Sequence, residues 1–200
     1  MYKRQTGADI VFFSANVAFL APPGVVIQWI ERGLAANLRP AIVGSSSIAN
    51  IEDGSVDIAN IPDRFETGIL DIPAITGLNR AVEYIRKIGE ERIRTHIRKM
   101  VQTIERGLRK IEGVVVYGEQ GVPKTLVGFN VAGKTDLNCH DVAMFLEQAG
   151  VAVRSGLLCA HEFTRTFHRE GVVQASPHLY NDESDVTRLI GTLEEICQLL

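Results

Sequence analysis

The sequence predicts an α/β chain made of two units that are joined by a long helix. Short apolar runs near the start are typical of β-strands, and apolar residues through the middle recur at helical spacing. After Gly113 the pattern changes to alternation, which favours a compact α+β unit. A length of 200 residues, 46% of them hydrophobic and 22% charged, suits an ordinary globular protein with a buried core.

The first unit begins with two short apolar segments. Asp9–Ser14 has the pattern of a strand that is buried on both faces, and Val25–Ile30 predicts a second strand. The turn Ala21–Gly24 between them is short, so we expect the strands to be antiparallel. Serines, prolines and an Asp-Gly pair then indicate a loop-rich crossing over residues 37–72.

Two helices are predicted for the middle of the chain. Apolar residues from Ile75 to Ile88 keep helical spacing, and Gly89 ends this first helix. The same spacing continues through a long basic helix to Gly113, and we interpret its apolar stripe as a packed face rather than a binding site. His96 on this helix is expected to be solvated. The chain therefore divides into predicted domains at residues 1–89 and 90–200.

The second unit is predicted to contain four strands and two further helices. Asn181 or Asp182 is expected to cap the last helix, because either side chain can accept hydrogen bonds from the free backbone N–H groups. In chain order the elements are strands over Val114–Tyr117 and Thr125–Val131, a helix over His140–Gln148, strands over Val151–Arg154 and Val172–Ser176, and the final helix.

Composition excludes several classes of partner. The net charge is −3, so no electrostatic argument favours nucleic acid or an anionic membrane surface. No apolar run is long enough to span a bilayer. The three cysteines form no CxxC pair and the sequence shows no metal-ligand spacing, so we expect no metal site and no disulfide framework. A reducing cytoplasm is the simplest location.

One segment carries a pattern that is typical of a reactive cysteine. Cys159 follows Arg154 by five residues, in a glycine-containing loop after a predicted strand. A nearby cation favours the thiolate, which is the nucleophilic form of cysteine. The alternative interpretation is a small apolar cysteine that fills a loop, and these residues alone leave both open.

The order of several motifs resembles the class V aminotransferase superfamily, and in particular its cysteine desulfurase branch. The matching stretches are Asp63–Gly68 with the following Ile72–Leu78, Gly113–Gly118 with Leu126–Asn130, Gly150–Ala160, and Val173–Asn181. They occur in the family's order over residues 8–200. The resemblance implies the end of the large domain of a fold type I transferase over residues 1–89, followed by the small C-terminal α+β domain.

The resemblance also implies a cofactor and roles for individual residues. Enzymes of this family use pyridoxal phosphate (PLP), which forms a Schiff base with a lysine and acts as an electron sink. In the desulfurases a cysteine thiolate then takes sulfur from substrate cysteine. Cys159 falls at this sulfur-accepting thiol, and Arg154 at the arginine of the same loop, where it would contact substrate. Ser45 falls near the threonine that reaches the cofactor phosphate of the partner subunit.

Four positions depart from the family pattern. Val17 stands at the Schiff-base lysine and Asn16 at the histidine before it. Gln174 replaces the arginine that binds the substrate carboxylate, and Ile69 replaces a threonine after Gly68. Valine has no amine, so these changes predict that PLP is not held covalently by this chain and that the chain is inactive alone.

Three hypotheses follow from this combination. The chain is a PLP-dependent enzyme that acts on a small amino acid through Cys159, or a non-catalytic pseudoenzyme subunit or scaffold, or the C-terminal part of a longer enzyme. The second and third are compatible with each other. Because the family's cofactor pocket lies at a dimer interface, the resemblance implies a homodimer or association with a longer homologue.

Overall fold

The chain divides at Gly89 into two compact units, residues 1–89 and 90–200. A computed structural model describes residues 7–132, 137–167 and 170–198. Each unit has its own sheets and helices, and each is described by itself below.

The first unit contains two β-hairpins and a long helix. Its helices are α1 (Ala15–Phe19), α2 (Arg32–Asn37) and α3 (Ile72–Ile88), and its strands are β1 (Ile10–Ser14), β2 (Val26–Ile30), β3 (Ile48–Glu52) and β4 (Ser55–Ile58). Single 3-10 turns lie at Ser45–Ser47 and Asp63–Phe65. β1 pairs with β2 and β3 with β4, both antiparallel. The Asp71 carboxylate accepts the Ala74 N–H at 3.0 Å, which explains why α3 begins there.

The first hairpin confirms the predicted antiparallel pair, but the expected burial of β1 is wrong. Its side chains alternate between exposed and half-buried, and the Phe12 side chain is 70% exposed. A strand buried on both faces needs cover on both faces, and among residues 7–89 β1 pairs with β2 alone. The predicted loop crossing over residues 37–72 also proves to contain a hairpin, which turns at Asp53-Gly54.

The second unit is a four-stranded antiparallel sheet with helices packed on it. The strands are β5 (Val114–Val116), β6 (Val127–Val131), β7 (Arg154–Gly156) and β8 (Val172–Ala175), and their spatial order is β5-β6-β8-β7. The helices are α4 (Glu90–Leu108), α5 (Cys139–Gln148), α6 (His161–Arg165) and α7 (Glu183–Gln198). β8 lies between β6 and β7, so β7, the strand that precedes Cys159, is an edge strand.

The hydrophobic core of the described residues lies entirely in the second unit. The apolar stripe of α4 supplies Met100, Val101, Ile104 and Leu108, which confirms that this face packs rather than binds. The sheet and the other helices complete the core with Val127, Phe129, Val131, Val142, Leu146, Val173, Val186, Leu189, Leu193 and Ile196. In contrast, the buried residues of the first unit are small: Ala15, Ala21, Ala35, Ser47 and Ala74.

Three expectations for the second unit are corrected or refined. The strand predicted over Val151–Arg154 instead begins at Arg154; the preceding residues 151–153 make no strand pairing and line a cavity of about 300 Å³, while Val151 and Val153 pack against the core. His96 is half-buried rather than solvated, and its Nε2 lies 2.9 Å from the carbonyl oxygen of Asn181. Asp182, not Asn181, caps α7, since its carboxylate accepts the N–H of Ser184 at 2.7 Å.

Candidate functional site

The thiol of Cys159 is exposed and sits at the centre of a strained turn. The Ala160 N–H donates to the carbonyl oxygen of Leu157 at 2.8 Å, which closes a four-residue turn around Leu158 and Cys159. Both central residues have positive φ, 53° and 58°. Glycine or asparagine usually fills such positions because a side chain is strained there, at a cost of about 1–3 kcal/mol for each residue. One of the two strained residues, Cys159, therefore carries the thiol.

Arg154 and Gln174 lie opposite each other in the sheet. They form a register pair between β7 and β8, so their side chains share one face of the sheet. The Gln174 amide donates to the Ser176 hydroxyl at 2.7 Å. The structure therefore places two of the predicted site residues side by side on neighbouring strands, and one of them, Arg154, lies five residues before Cys159 along the chain.

The strand that leads to the thiol, β7, is held in place by contacts on its other face. Ser155 projects to the face opposite Arg154, and its hydroxyl lies 2.9 Å from Nδ1 of His140 at the start of α5. Gly156 and Gly171 are in close backbone contact: a Cβ on Gly171 would lie 2.8 Å from Cα of Gly156 and 2.7 Å from Sγ of Cys139. Glycine is required at position 171 because no side chain fits there.

The segment after the thiol is held by α6 and an aromatic cluster. The buried Thr164 hydroxyl donates to the carbonyl oxygen of Ala160 at 3.0 Å. The Phe167 ring stacks on Tyr117 beside β5, with centroids 4.4 Å apart, and meets Phe163 edge-on at 4.9 Å. These contacts connect the segment after the thiol to Tyr117, which directly follows strand β5 of the sheet.

Sequence reasoning missed His140 and Tyr117 as supports of this loop. Helical periodicity places His140 at a helix start, but nothing in the sequence reveals that Ser155 lies against it. The sequence pattern predicts Tyr117 only as the end of a strand. Both contacts join residues that are distant in sequence, and local patterns cannot detect such pairs.

The remaining predicted positions lie in the first unit on exposed surfaces. Asn16 and Val17 are on the short helix α1, and the Val17 side chain is 75% exposed. Ser45 has a positive φ of 48° in its 3-10 turn, and its neighbour Ser46 donates to the carbonyl oxygen of Glu66 at 2.6 Å. Ile69 is 99% exposed.

Among residues 7–89, no lysine lies near Val17 to replace the amine that this position lacks. Lys87 is the one lysine among residues 7–89, and it lies in the last turn of α3. α1 packs against α3, and the neighbouring Pro22 contacts Gly77 near the middle of that helix. Ten residues separate Gly77 from Lys87, a distance of about 15 Å along the helix axis. Lys87 therefore does not suit a PLP that is held at the position of Val17.

Comparison with known proteins identifies the family. A sequence profile described as aminotransferase class-V matches residues 1–189. The chain belongs to the class-V aminotransferase family. A probable cysteine desulfurase of Pyrococcus abyssi is 32% identical over 199 residues, which cover 98% of this chain and 49% of that protein. The chain thus spans about half the length of the curated relatives that it matches.

Solved structures of this class-V family confirm the fold. The apo structure of a cysteine desulfurase from Thermococcus onnurineus NA1 matches with a TM-score of 0.92 and 30% identity, over 99% of this chain and 49% of that one. A variant of the cystine C-S lyase C-DES, 22% identical, shows the same fold with a TM-score of 0.80 over 96% of this chain and 47% of that one, and it carries glycine covalently linked to its PLP cofactor. The predicted desulfurase-like membership, fold type and PLP-dependent family are confirmed, and the roles of single residues stay predictions.

Two expected absences concern the described residues only. In residues 7–132, 137–167 and 170–198, no group of three or more His, Cys, Asp or Glu side chains is placed to hold a metal ion. Within the same part of the chain, no helix is long and apolar enough to cross a membrane. His168, which follows the thiol loop, lies outside the described residues.

Proposed function

We propose that this chain is a cysteine desulfurase-like subunit that keeps the thiol loop of its family and does not hold PLP covalently. The exposed Val17 at the lysine position carries the proposal, because no amine is available there. Gln174 supports it, since loss of the arginine that pairs with a substrate carboxylate removes about 1.5–3 kcal/mol of binding. Asn16 and Ile69 also support it, because they replace the histidine and the threonine of the family pattern.

The subunit acts in association, as a homodimer or with a longer homologue. The resemblance implies this because the family's cofactor pocket lies at a dimer interface, where Ser45 would approach the cofactor phosphate of a partner. Three free cysteines, Cys139, Cys159 and Cys197, suit a reducing cytoplasm. Sedimentation of the purified chain, alone and mixed with a full-length desulfurase from the same cell, tests the association. A monomer that binds no homologue would contradict it.

Titration of the purified chain with PLP tests the central claim. We expect no Schiff-base absorbance band and no cofactor fixed to the protein by borohydride. The Val17→Lys variant is the matched control, because it restores the amine at the family position. A borohydride-sensitive band in the unmodified chain would show that another lysine replaces Val17 and would overturn the proposal.

A second candidate is an active desulfurase that takes sulfur from a small amino acid through Cys159. The exposed thiol in its strained turn favours this function, as does the exposed Arg154 beside Gln174. Incubation with cysteine and PLP, followed by mass spectrometry of the Cys159 peptide, decides between the two. A persulfide that is lost in the Cys159→Ser variant supports the enzyme, and its absence supports the non-catalytic subunit. The variant that carries both Val17→Lys and Gln174→Arg is expected to stay inactive in this chain alone.

A further inference from the structure

A positively charged groove lies in the second unit, and its lining contains no residue of the thiol loop. It has a volume of about 430 Å³ and runs between α4 and the loop of residues 118–124. Arg98, Gln102 and Arg106 of α4 line one wall at intervals of four residues, so they form one row along the helix. Val122 and Pro123 line the other wall. The groove therefore combines a cationic row with an apolar side.

The loop wall of the groove is fixed by a buried ion cluster. Glu105 is only 4% exposed, and its Oε1 accepts hydrogen bonds from Nζ of Lys124 and from Nη2 of Arg109, both at 2.8 Å. The same two cations also donate to the loop carbonyls of Glu119 and Gly118. Because one end of the loop is bonded to Glu105 of α4 and the other to Arg109 directly after α4, the groove is a preformed feature of the fold.

The two arginines of the groove have no acidic partner in the described residues. Arg98 makes no recorded hydrogen bond or ion pair there, and the Arg106 side chain donates only to the backbone carbonyl of Gln102. Lys124, the third cation of the lining, is neutralised by Glu105. The groove consequently has an excess of two positive charges on a chain whose net charge is −3. Unpaired guanidinium groups bind carboxylates well, often through two parallel hydrogen bonds.

The spacing of the arginines defines what fits between them. Eight residues separate Arg98 from Arg106, which places their Cα atoms about 12 Å apart along the helix axis. A single small anion cannot contact both arginines at this separation without bending them towards each other. In an extended peptide, residues four apart lie about 13 Å apart and on the same side of the strand. Such a peptide would present its middle residue to Gln102, Val122 and Pro123.

We propose that this groove is a docking site for an extended acidic segment of a partner protein, with two carboxylates four residues apart and an apolar residue between them. One carboxylate pairs with Arg98 and the other with Arg106, while the apolar residue contacts Val122 and Pro123. The proposal does not depend on PLP or on Cys159, so it can fail or succeed independently of the proposed function.

The test uses the ¹⁵N-labelled full chain and the peptide acetyl-Glu-Ala-Val-Ala-Glu-amide. Its composition-matched control, acetyl-Ala-Glu-Glu-Val-Ala-amide, has adjacent carboxylates that cannot reach both arginines. We expect the spaced peptide to shift the amide resonances of residues 98–106 and 120–124 and to bind at least fivefold more tightly than the control. Equal affinity for both peptides, or no shift at these amides, would overturn the proposal.

Two double variants separate the groove from general charge. Arg98→Gln with Arg106→Gln should weaken binding about tenfold, since two partly exposed ion pairs are lost. Arg92→Gln with Lys110→Gln removes the same charge from exposed positions outside the groove lining and should change the affinity less than twofold. Equal losses in both variants would contradict a specific site. Displacement of the spaced peptide by millimolar inorganic phosphate would assign the groove to a small anion instead and would also overturn the proposal.

Discussion

The buried carboxylate of Glu105 offers a sharp test of how the second unit is held together. In the Glu105→Gln variant, the amide keeps the shape of the side chain and still presents an oxygen, but it has no charge. Lys124 is then left unpaired although its side chain is only 19% exposed, and the Arg109 side chain is 30% exposed. Removal of one partner from a buried pair costs about 3–5 kcal/mol when nothing compensates. Because the amide oxygen and the loop carbonyls still accept hydrogen bonds from both cations, we expect a loss of about 2–3 kcal/mol in the free energy of unfolding.

The matched control is Glu91→Gln, which makes the same chemical change on the same helix. Glu91 pairs with Arg94 at 3.0 Å, and the Glu91 side chain is 70% exposed. An exposed ion pair contributes less than about 1 kcal/mol. Native-state hydrogen exchange of the Val127–Val131 amides measures the unfolding of the second unit specifically, since this strand lies in its core. The reasoning is refuted if Glu105→Gln lowers the protection of these amides no more than Glu91→Gln does.

The pH dependence of the same carboxylate gives a second readout. Burial acts to raise the pKa of Glu105, but the hydrogen bonds and charges of Lys124 and Arg109 outweigh it and hold this pKa below its ordinary value. A folded-state pKa below the unfolded one means that the unfolded chain binds the proton first as pH falls. The stabilisation is therefore complete above the ordinary carboxyl pKa of 4.5 and is lost as pH falls through the folded-state pKa. The difference in stability between Glu105→Gln and the unmodified chain should shrink over this range and stay constant from pH 6 to 8.

Three further predictions concern the thiol loop, the sheet and the first unit. In thermal or urea unfolding, Gly171→Ala should destabilise the second unit by about 1–3 kcal/mol, because the new Cβ would lie 2.7 Å from Sγ of Cys139. The control variant Gly191→Ala on α7 places its Cβ in open space and should stabilise the unit by about 0.5–1 kcal/mol. Tyr117→Ala removes the ring that stacks on Phe167, and we expect it to change the alkylation rate of Cys159 at least twofold without changing that of Cys197. Tyr117→Phe keeps the ring and should keep the rate. Equal Cys159 rates in the unmodified chain and both variants would contradict the proposed support of the loop. Amides of β1 and β2 should exchange at least tenfold faster than those of β6 and β8, since the buried residues of the first unit are four alanines and a serine, and comparable protection in both units would refute this.

Sequence reasoning predicted the second unit well because its signals are local and its core lies within the same residues. The stripe from Met100 to Leu108 and the alternation in Val127–Val131 each follow from one buried face, and both elements pack as predicted. The strand predicted over Val151–Arg154 failed for a tertiary reason. Val151 and Val153 pack against the core and line a cavity without pairing to a neighbouring strand, and a sequence pattern indicates apolar burial without indicating which element provides it.

The first unit shows the opposite limit of sequence reasoning. The pattern of Asp9–Ser14 correctly predicted a strand, but the burial that the pattern implies is absent in this unit. Phe12, Val17 and Ile69 remain exposed, although an apolar side chain gains about 1.5–3 kcal/mol when it is fully buried. The positive φ values of Leu158 and Cys159 were also unpredictable, because neither residue type favours that conformation. Only the surrounding fold can impose such a turn.

The differences between the two units bear on which part of the family's chemistry this chain retains. The thiol loop is supported on every side: by the Ser155–His140 contact before it, by Thr164 after it, and by a sheet whose core is complete. Strain of this kind persists only where the surrounding structure maintains it. The positions that the resemblance assigns to PLP binding, in contrast, lie on a short exposed helix and exposed turns, and the one lysine among residues 7–89 is Lys87 in the last turn of α3. Sulfur transfer in this family needs both parts, so the supported thiol loop and the altered first-unit positions together favour the proposed subunit, in which Cys159 would act with another protein that supplies the PLP site.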